Sequence, residues 1–216
     1  MNKKEVLASF GMQDPFDGFT PDPNSKLWGW NGDSPLFGAL VEKLQPKQVI
    51  EVGSWMGQSS CNLASSVKRV GLTECSVICI DTWLGSLEHW VDPELRAHMK
   101  LKNGFPTFYY DFLSNVANLG LQDVVVPMPM PSLTGAALLK KKGIKAELIY
   151  IDGSHETLDV YNDLEAYWPL LAPGGIIFGD DWGWESVSTA VKAFSAQIGS
   201  PVLMASQINW CFQKPS

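Results

Sequence analysis

The chain is predicted to fold as an α/β protein, a doubly wound and mostly parallel sheet in a single domain, on three observations. Five apolar runs of strand length recur, at Gln48–Val52, Ser76–Ile80, Asp123–Pro127, Glu147–Ile151 and Gly175–Phe178. They are apolar throughout instead of alternating, as strands covered on both faces are. Stretches with helical spacing separate or follow them, at Gly57–Val70, Phe108–Leu119, Leu133–Lys142, Leu158–Trp168 and Ser186–Ile198. These supply the right-handed crossovers that parallel neighbours require.

Residues 1–34 mix Phe, Trp, Pro, Gly, Asp and Asn without a period, so irregular structure is expected there, as a lid or flap. Ser34 then reads as an N-cap with Pro35 at the first helical position, and the helix runs to about Leu44, ahead of Pro46. At the other end, Val202–Met204 and Ile208–Phe212 suit a closing hairpin.

The 216 residues, 45% hydrophobic and 18% charged, suit one packed domain spanning 1–216. A net charge of -7 disfavours nucleic acid. The Lys140–Lys142 triplet precedes Gly143, where it complements the end of a helix dipole. No apolar stretch approaches the roughly 20 residues of a membrane span. Cys61, Cys75, Cys79 and Cys211 lack the paired spacing of a zinc site and fit a reducing compartment, so a cytoplasmic location is expected.

In a doubly wound sheet, ligands bind at the carboxyl ends of the strands. After the first strand, Glu51-Val52-Gly53-Ser54-Trp55-Met56-Gly57-Gln58-Ser59 is a strand end, a glycine turn and a helix start. Gly53 permits close approach of a ligand, and the free amides of the helix start bind polar atoms. The segment lacks the G-x-G-x-x-G of dinucleotide folds and the Gly-Lys-Ser/Thr of a P-loop. Asp81 ends the second strand, where a carboxylate serves ribose hydroxyls or merely caps the turn.

The Glu-x-Gly-x-x-x-Gly-x-Ser pattern resembles the first motif of class I S-adenosylmethionine (SAM)-dependent methyltransferases, whose Rossmann-like fold matches the element order. The resemblance implies that SAM contacts Glu51, Gly53, Ser54, Gly57, Ser59, Asp81 and Trp83, with Asp81 on the ribose. It also places the adenine by the turn at Met130 and Ser132.

Two further segments carry chemistry: Tyr150-Ile151-Asp152-Gly153-Ser154-His155 and Phe178-Gly179-Asp180-Asp181-Trp182. Neighbouring strands about 4.8 Å apart bring these carboxylates and the imidazole into one cleft. Such a cluster suits a hard divalent ion such as Mg²⁺, and a histidine suits proton transfer from a hydroxyl. The plain readings are that Asp180-Asp181 cap the next helix and that His155 is a loop residue.

With Asp163-Leu164 and Trp168-Pro169-Leu170-Leu171-Ala172-Pro173-Gly174-Gly175, these segments resemble the metal-dependent O-methyltransferases that modify sugars of macrolide and aminocoumarin antibiotics. The resemblance implies Mg²⁺ on Asp152, Asp180 and Asp181, SAM also touching Asp152, His155 and Asp152 in catalysis, and a small-molecule hydroxyl (sugar or phenol) as acceptor. A metal-independent methyltransferase and a non-catalytic SAM-binding module are the alternatives.

Asp159 and Asp163, four apart on a helix, read as a solvated face, and Glu88, His89, Asp92 and Glu94 as an exposed insert. Trp28, Trp30, Trp55, Trp83 and Trp182 fall where the cleft opens. Phe105, Phe108, Tyr109 and Tyr110 suit a substrate wall or, in a homodimer, a subunit contact.

Overall fold

A computed structural model describes all 216 residues, Met1–Ser216. Five strands run parallel: β1 (Gln48–Val52), β2 (Ser76–Asp81), β3 (Val125–Pro129), β4 (Ala146–Ile151) and β5 (Leu171–Gly179). A hairpin of β6 (Leu203–Met204) and β7 (Trp210–Gln213) completes a seven-stranded sheet in the order β3-β2-β1-β4-β5-β7-β6. Its second strand, β7, inserts antiparallel beside β5.

Strand parity divides the apolar residues between two cores. Ile50, Val52, Ile78, Ile80, Ile149 and Ile177 face one side. There they meet α1 (Lys3–Phe10), α7 (Ser132–Lys141), α8 (Thr157–Tyr167) and α9 (Glu185–Ile198). Val49, Val77, Cys79, Leu148, Tyr150 and Phe178 face the other, against α2 (Pro35–Leu44), α3 (Gln58–Val70) and α6 (Phe108–Asn118). Each fully buried aliphatic side chain contributes about 1.5–3 kcal/mol, which is why both faces must be covered.

The third strand lies two residues later than expected and the fifth begins four residues earlier, and two further regions differ in kind. Residues 3–10 form a helix, α1, within the segment expected to be irregular. Its start was encoded: Asn2 caps the Glu5 amide while the Glu5 side chain accepts from the Asn2 amide. The insert after β2 contains two short helices, α4 (Leu87–Val91) and α5 (Pro93–His98). The Ser34 cap, the Pro35 start and the end of α2 at Leu44 are as expected. No helix is long and apolar enough to cross a membrane.

The register locates the site. Val52 pairs with both Ile80 and Ile151, and Ile151 pairs with Gly179. The residues that follow these four, Gly53, Asp81, Asp152 and Asp180, therefore form one row across the carboxyl ends of β2, β1, β4 and β5. Between β1 and β4 the chain switches direction of travel, and a crevice opens there.

Candidate active site

A cleft of about 810 Å³ lies over this row. Its floor depends on Gly53, at φ +85, where an added Cβ would stand 2.0 Å from the Asp152 carbonyl oxygen. Only glycine lets the two strand ends come so close. Asp81 then braces the turn: one carboxylate oxygen accepts from the amides of Ser54 (2.9 Å) and Trp55 (2.7 Å), the other from Trp83 (2.7 Å). A carboxylate offers about four lone-pair directions, so capacity for a further donor remains.

Glu51 lies elsewhere than a cofactor contact would. It is fully buried beneath the turn, accepting hydrogen bonds from Ser54 (2.7 Å) and Ser60, and it does not line the cleft. Burial raises its pKa, and Oε1 has no partner, so its observed work is to hold the loop from below. Gly57 is also outside the lining, while Ser54 and Ser59 line the cleft from nearly buried positions. Trp83 is 2% exposed, its indole donating to the Trp55 carbonyl at 2.7 Å and packing on Tyr109 and Phe112.

Ser132 opens α7 at the far end of the cleft. Its hydroxyl donates to Asp163, and its carbonyl accepts from Tyr167 at 2.7 Å. Asp163 contradicts the solvated-face expectation: it is 4% exposed, and burial pushes its pKa up to about 6. Asp159, one turn earlier, is exposed. The helix is rotated so that only one of this i, i+4 pair points inward.

At the near end, Asp152, His155 and Asp181 each offer a ligand atom within 4.8 Å of the others. The His155 Nε2 lies 2.9 Å from an Asp181 oxygen, and its Nδ1 is 3.6 Å from Glu88. The bond to Asp181 is the main reason that the imidazole pKa rises to about 9. Asp152 accepts from the Tyr150 hydroxyl at 2.9 Å; burial, then the charges of Asp180 and Asp181, push its pKa well up. Crowded carboxylates of this kind are relieved by a cation, and their oxygens suit a hard divalent ion, while the imidazole beside them suits proton transfer.

Asp180 stands apart from that triad. It is 5% exposed, and its oxygens accept from Asn31 at 3.1 Å and Asn209 at 3.3 Å. Asp181 bonds to His155 and bears φ +59, a left-handed conformation for a residue with a side chain. Asn31, Trp55, Trp83 and Asp181, which all line the cleft, share positive φ. Strain of this kind collects at functional sites, at about 1–3 kcal/mol per residue.

The roof comes from two segments. Residues 28–32 cross the cleft, with Trp30 stacked on Trp55 at 5.2 Å and 9° and Trp28 tilted against both. Gly32 reaches the start of α3 so closely that a Cβ would be 2.8 Å from the Ser59 amide nitrogen. From the insert, α4 brings Glu88 to His155 and His89 against Trp55 and Phe108. His89 is 8% exposed, which corrects the reading of the insert as wholly solvated. Trp184 covers His155 at 4.6 Å, whereas Trp182 packs beside Lys192 and one apolar core, away from the cleft lining.

Tyr150 had a readable signal, since residues two apart on a strand share a face and Asp152 follows it by two. Asn31, Glu88 and His89 had none, because nothing local says which loop crosses the cleft.

A family model described as a methyltransferase domain matches residues 50–182, more than half of the chain. Among solved structures, the O-methyltransferase NovP superposes with a TM-score of 0.63 at 15% identity, covering 83% of this chain and 78% of that one. The O-methyltransferase TomG from Streptomyces achromogenes, in complex with SAM, gives 0.60 at 13% identity, covering 97% and 86%. CalS11, a TDP-rhamnose 3'-O-methyltransferase, gives 0.60 at 15% identity, covering 82% and 77%. A curated relative, the uncharacterized protein y4gI of Sinorhizobium fredii (strain NBRC 101917 / NGR234), is 25% identical over 163 residues, 74% of this chain. The chain spans only about 15% of that relative's length.

Proposed function

Because the chain belongs to the methyltransferase-domain family, we propose that it transfers the methyl group of SAM to a hydroxyl oxygen of a small molecule. A divalent cation, Mg²⁺ in the simplest case, would be held by Asp152 and Asp181, with Asp180 as the third carboxylate. The observation that carries the reading is the convergence of Asp152, His155 and Asp181 beside the glycine turn. When bound, SAM supplies an electrophilic methyl group and the cation lowers the pKa of a neighbouring hydroxyl.

The chain's own residues divide the remaining work. The Gly53–Ser59 turn and Asp81 receive the methionine and ribose parts of SAM, and Met130 and Ser132 flank the adenine. The Asp181 bond favours the protonated imidazole, so His155 would act as base at Nε2 only with Asp181 engaged by the cation, while Glu88 faces Nδ1. Tyr150 keeps the Asp152 carboxylate oriented.

Calorimetry with SAM, S-adenosylhomocysteine and NAD is expected to show binding of the first two only. With SAM binding established, EDTA is expected to abolish methyl transfer and added Mg²⁺ to restore it. A second reading, transfer without a metal, draws on the 2.9 Å pair of His155 with Asp181, in which a carboxylate orients the imidazole directly. Activity indifferent to EDTA would select it.

A further inference from the structure

Resting on the O-methyl-transfer reading above, we infer that the acceptor is a ring compound without anionic groups, and that compounds bearing an amine on the ring or its side chain are preferred. Eight carboxylates line the cleft against one basic group, His155, which is already paired with Asp181, and neither a lysine nor an arginine lines it. SAM brings one net positive charge and a divalent cation two, so the loaded cleft keeps an excess of negative charge. Glu88, Glu156 and Asp159 lie in the lining outside the residues assigned to SAM and the cation. A phosphate, a carboxylate or a diphosphate linkage would enter this field with no lysine or arginine to neutralise it.

His89 points to the same ligand class from a different direction. Its Nδ1 accepts the Ser86 backbone amide at 3.2 Å, which leaves the ring proton on Nε2. That N–H is buried in the cleft wall with no partner, and burial lowers the ring's pKa, so the group is an uncharged donor. It suits a hydroxyl, ether or carbonyl oxygen. Beside it, Trp30, 57% exposed and stacked on Trp55, offers flat apolar surface to a ring and an electron-rich face to an amine.

Three probes share one dihydroxybenzene ring and differ in charge: dopamine (cation), catechol (neutral) and 3,4-dihydroxybenzoate (anion). Their binding to the protein loaded with S-adenosylhomocysteine and Mg²⁺, and their kcat/KM with SAM, are expected to fall in that order. The ends should differ by about 30-fold or more at low salt, the effect of unlike and like charges several Å away in a partly buried cleft. In Glu88→Gln, the dopamine-to-benzoate ratio is expected to fall at least about threefold; a ratio within one variant cancels any loss of turnover common to both probes. The inference is overturned if the benzoate binds or reacts within threefold of dopamine, if no probe binds at millimolar concentration, or if Glu88→Gln leaves the ratio unchanged. Failure of the parent reading is distinct: SAM itself would not bind, or would bind with no methyl transferred to any bound probe.

Discussion

The floor and the roof of the cleft are built on different principles. Strand register aligns the floor residues Gly53, Asp81, Asp152 and Asp180, and β1, β4 and most of β5 beneath them are buried on both faces. The roof, residues 28–32 with α4, rests on a few aromatic contacts and single polar contacts such as the Asn31 hydrogen bond to Asp180 and the 3.6 Å approach of Glu88 to His155. A floor with no freedom suits chemistry that tolerates little misplacement, while a lightly held roof can open for a ligand. Substitutions in the floor should therefore cost turnover or folding, and those in the roof mainly affinity.

The largest effect is expected at Asp152. Asp152→Asn removes a carboxylate from the triad and should lower kcat by about 10²–10⁴-fold, the range for losing a positioned acid or base. Because its charge is unfavourable where it sits, the melting temperature should hold or rise. A fall in both would mean that the floor needs this charge for folding.

Gly53→Ala is next. The backbone is left-handed, and the new Cβ meets the Asp152 carbonyl oxygen, so stability in urea should fall by more than about 1 kcal/mol. SAM affinity measured by calorimetry should fall with it. A stable variant that binds SAM normally would show the strand ends to be less tightly coupled than their register implies.

Asp163 tests the buried far end by pH. Its folded pKa, about 6, exceeds the ordinary carboxylate value, so the folded state holds the proton more tightly than the unfolded chain does. Its contribution is therefore fully present below about pH 4 and is lost as pH rises towards 6. Denaturant midpoints of the wild type relative to Asp163→Asn should decline across that window and level off above it. A flat difference would remove the case for a buried, weakly acidic group.

The smallest effect on folding is expected in the roof. Trp30 is 57% exposed, and Trp30→Ala should shift stability by less than about 1 kcal/mol while raising the KM of the acceptor several-fold. A loss of kcat with KM unchanged would move Trp30 from roof to floor.

Legibility in the sequence follows the same division. The strands, the Ser34–Pro35 helix start and the row of acids at strand ends were readable, because unbroken apolar runs and turn chemistry are local signals. The α1 helix was missed although Asn2 and Glu5 carried its cap, since eight residues are too few for a period to stand out. Asp163 was misread because spacing alone gives a helix face and not its direction. Glu51 belongs to the motif but sits below the loop, a distinction of a few Å that no pattern expresses.

The sequence by itself determined the parallel sheet, the glycine turn and the acids that end β2, β4 and β5, because strand period and glycine stereochemistry act within a few residues. Only the tertiary structure decided that Asp181, and not Asp180, meets His155, that Asn31 reaches Asp180 and Glu88 reaches His155, and that no lysine or arginine lines the cleft. Those contacts join residues from 26 positions apart, His155 and Asp181, to 149, Asn31 and Asp180, and their existence depends on how loops pack over a finished sheet, which no local preference encodes.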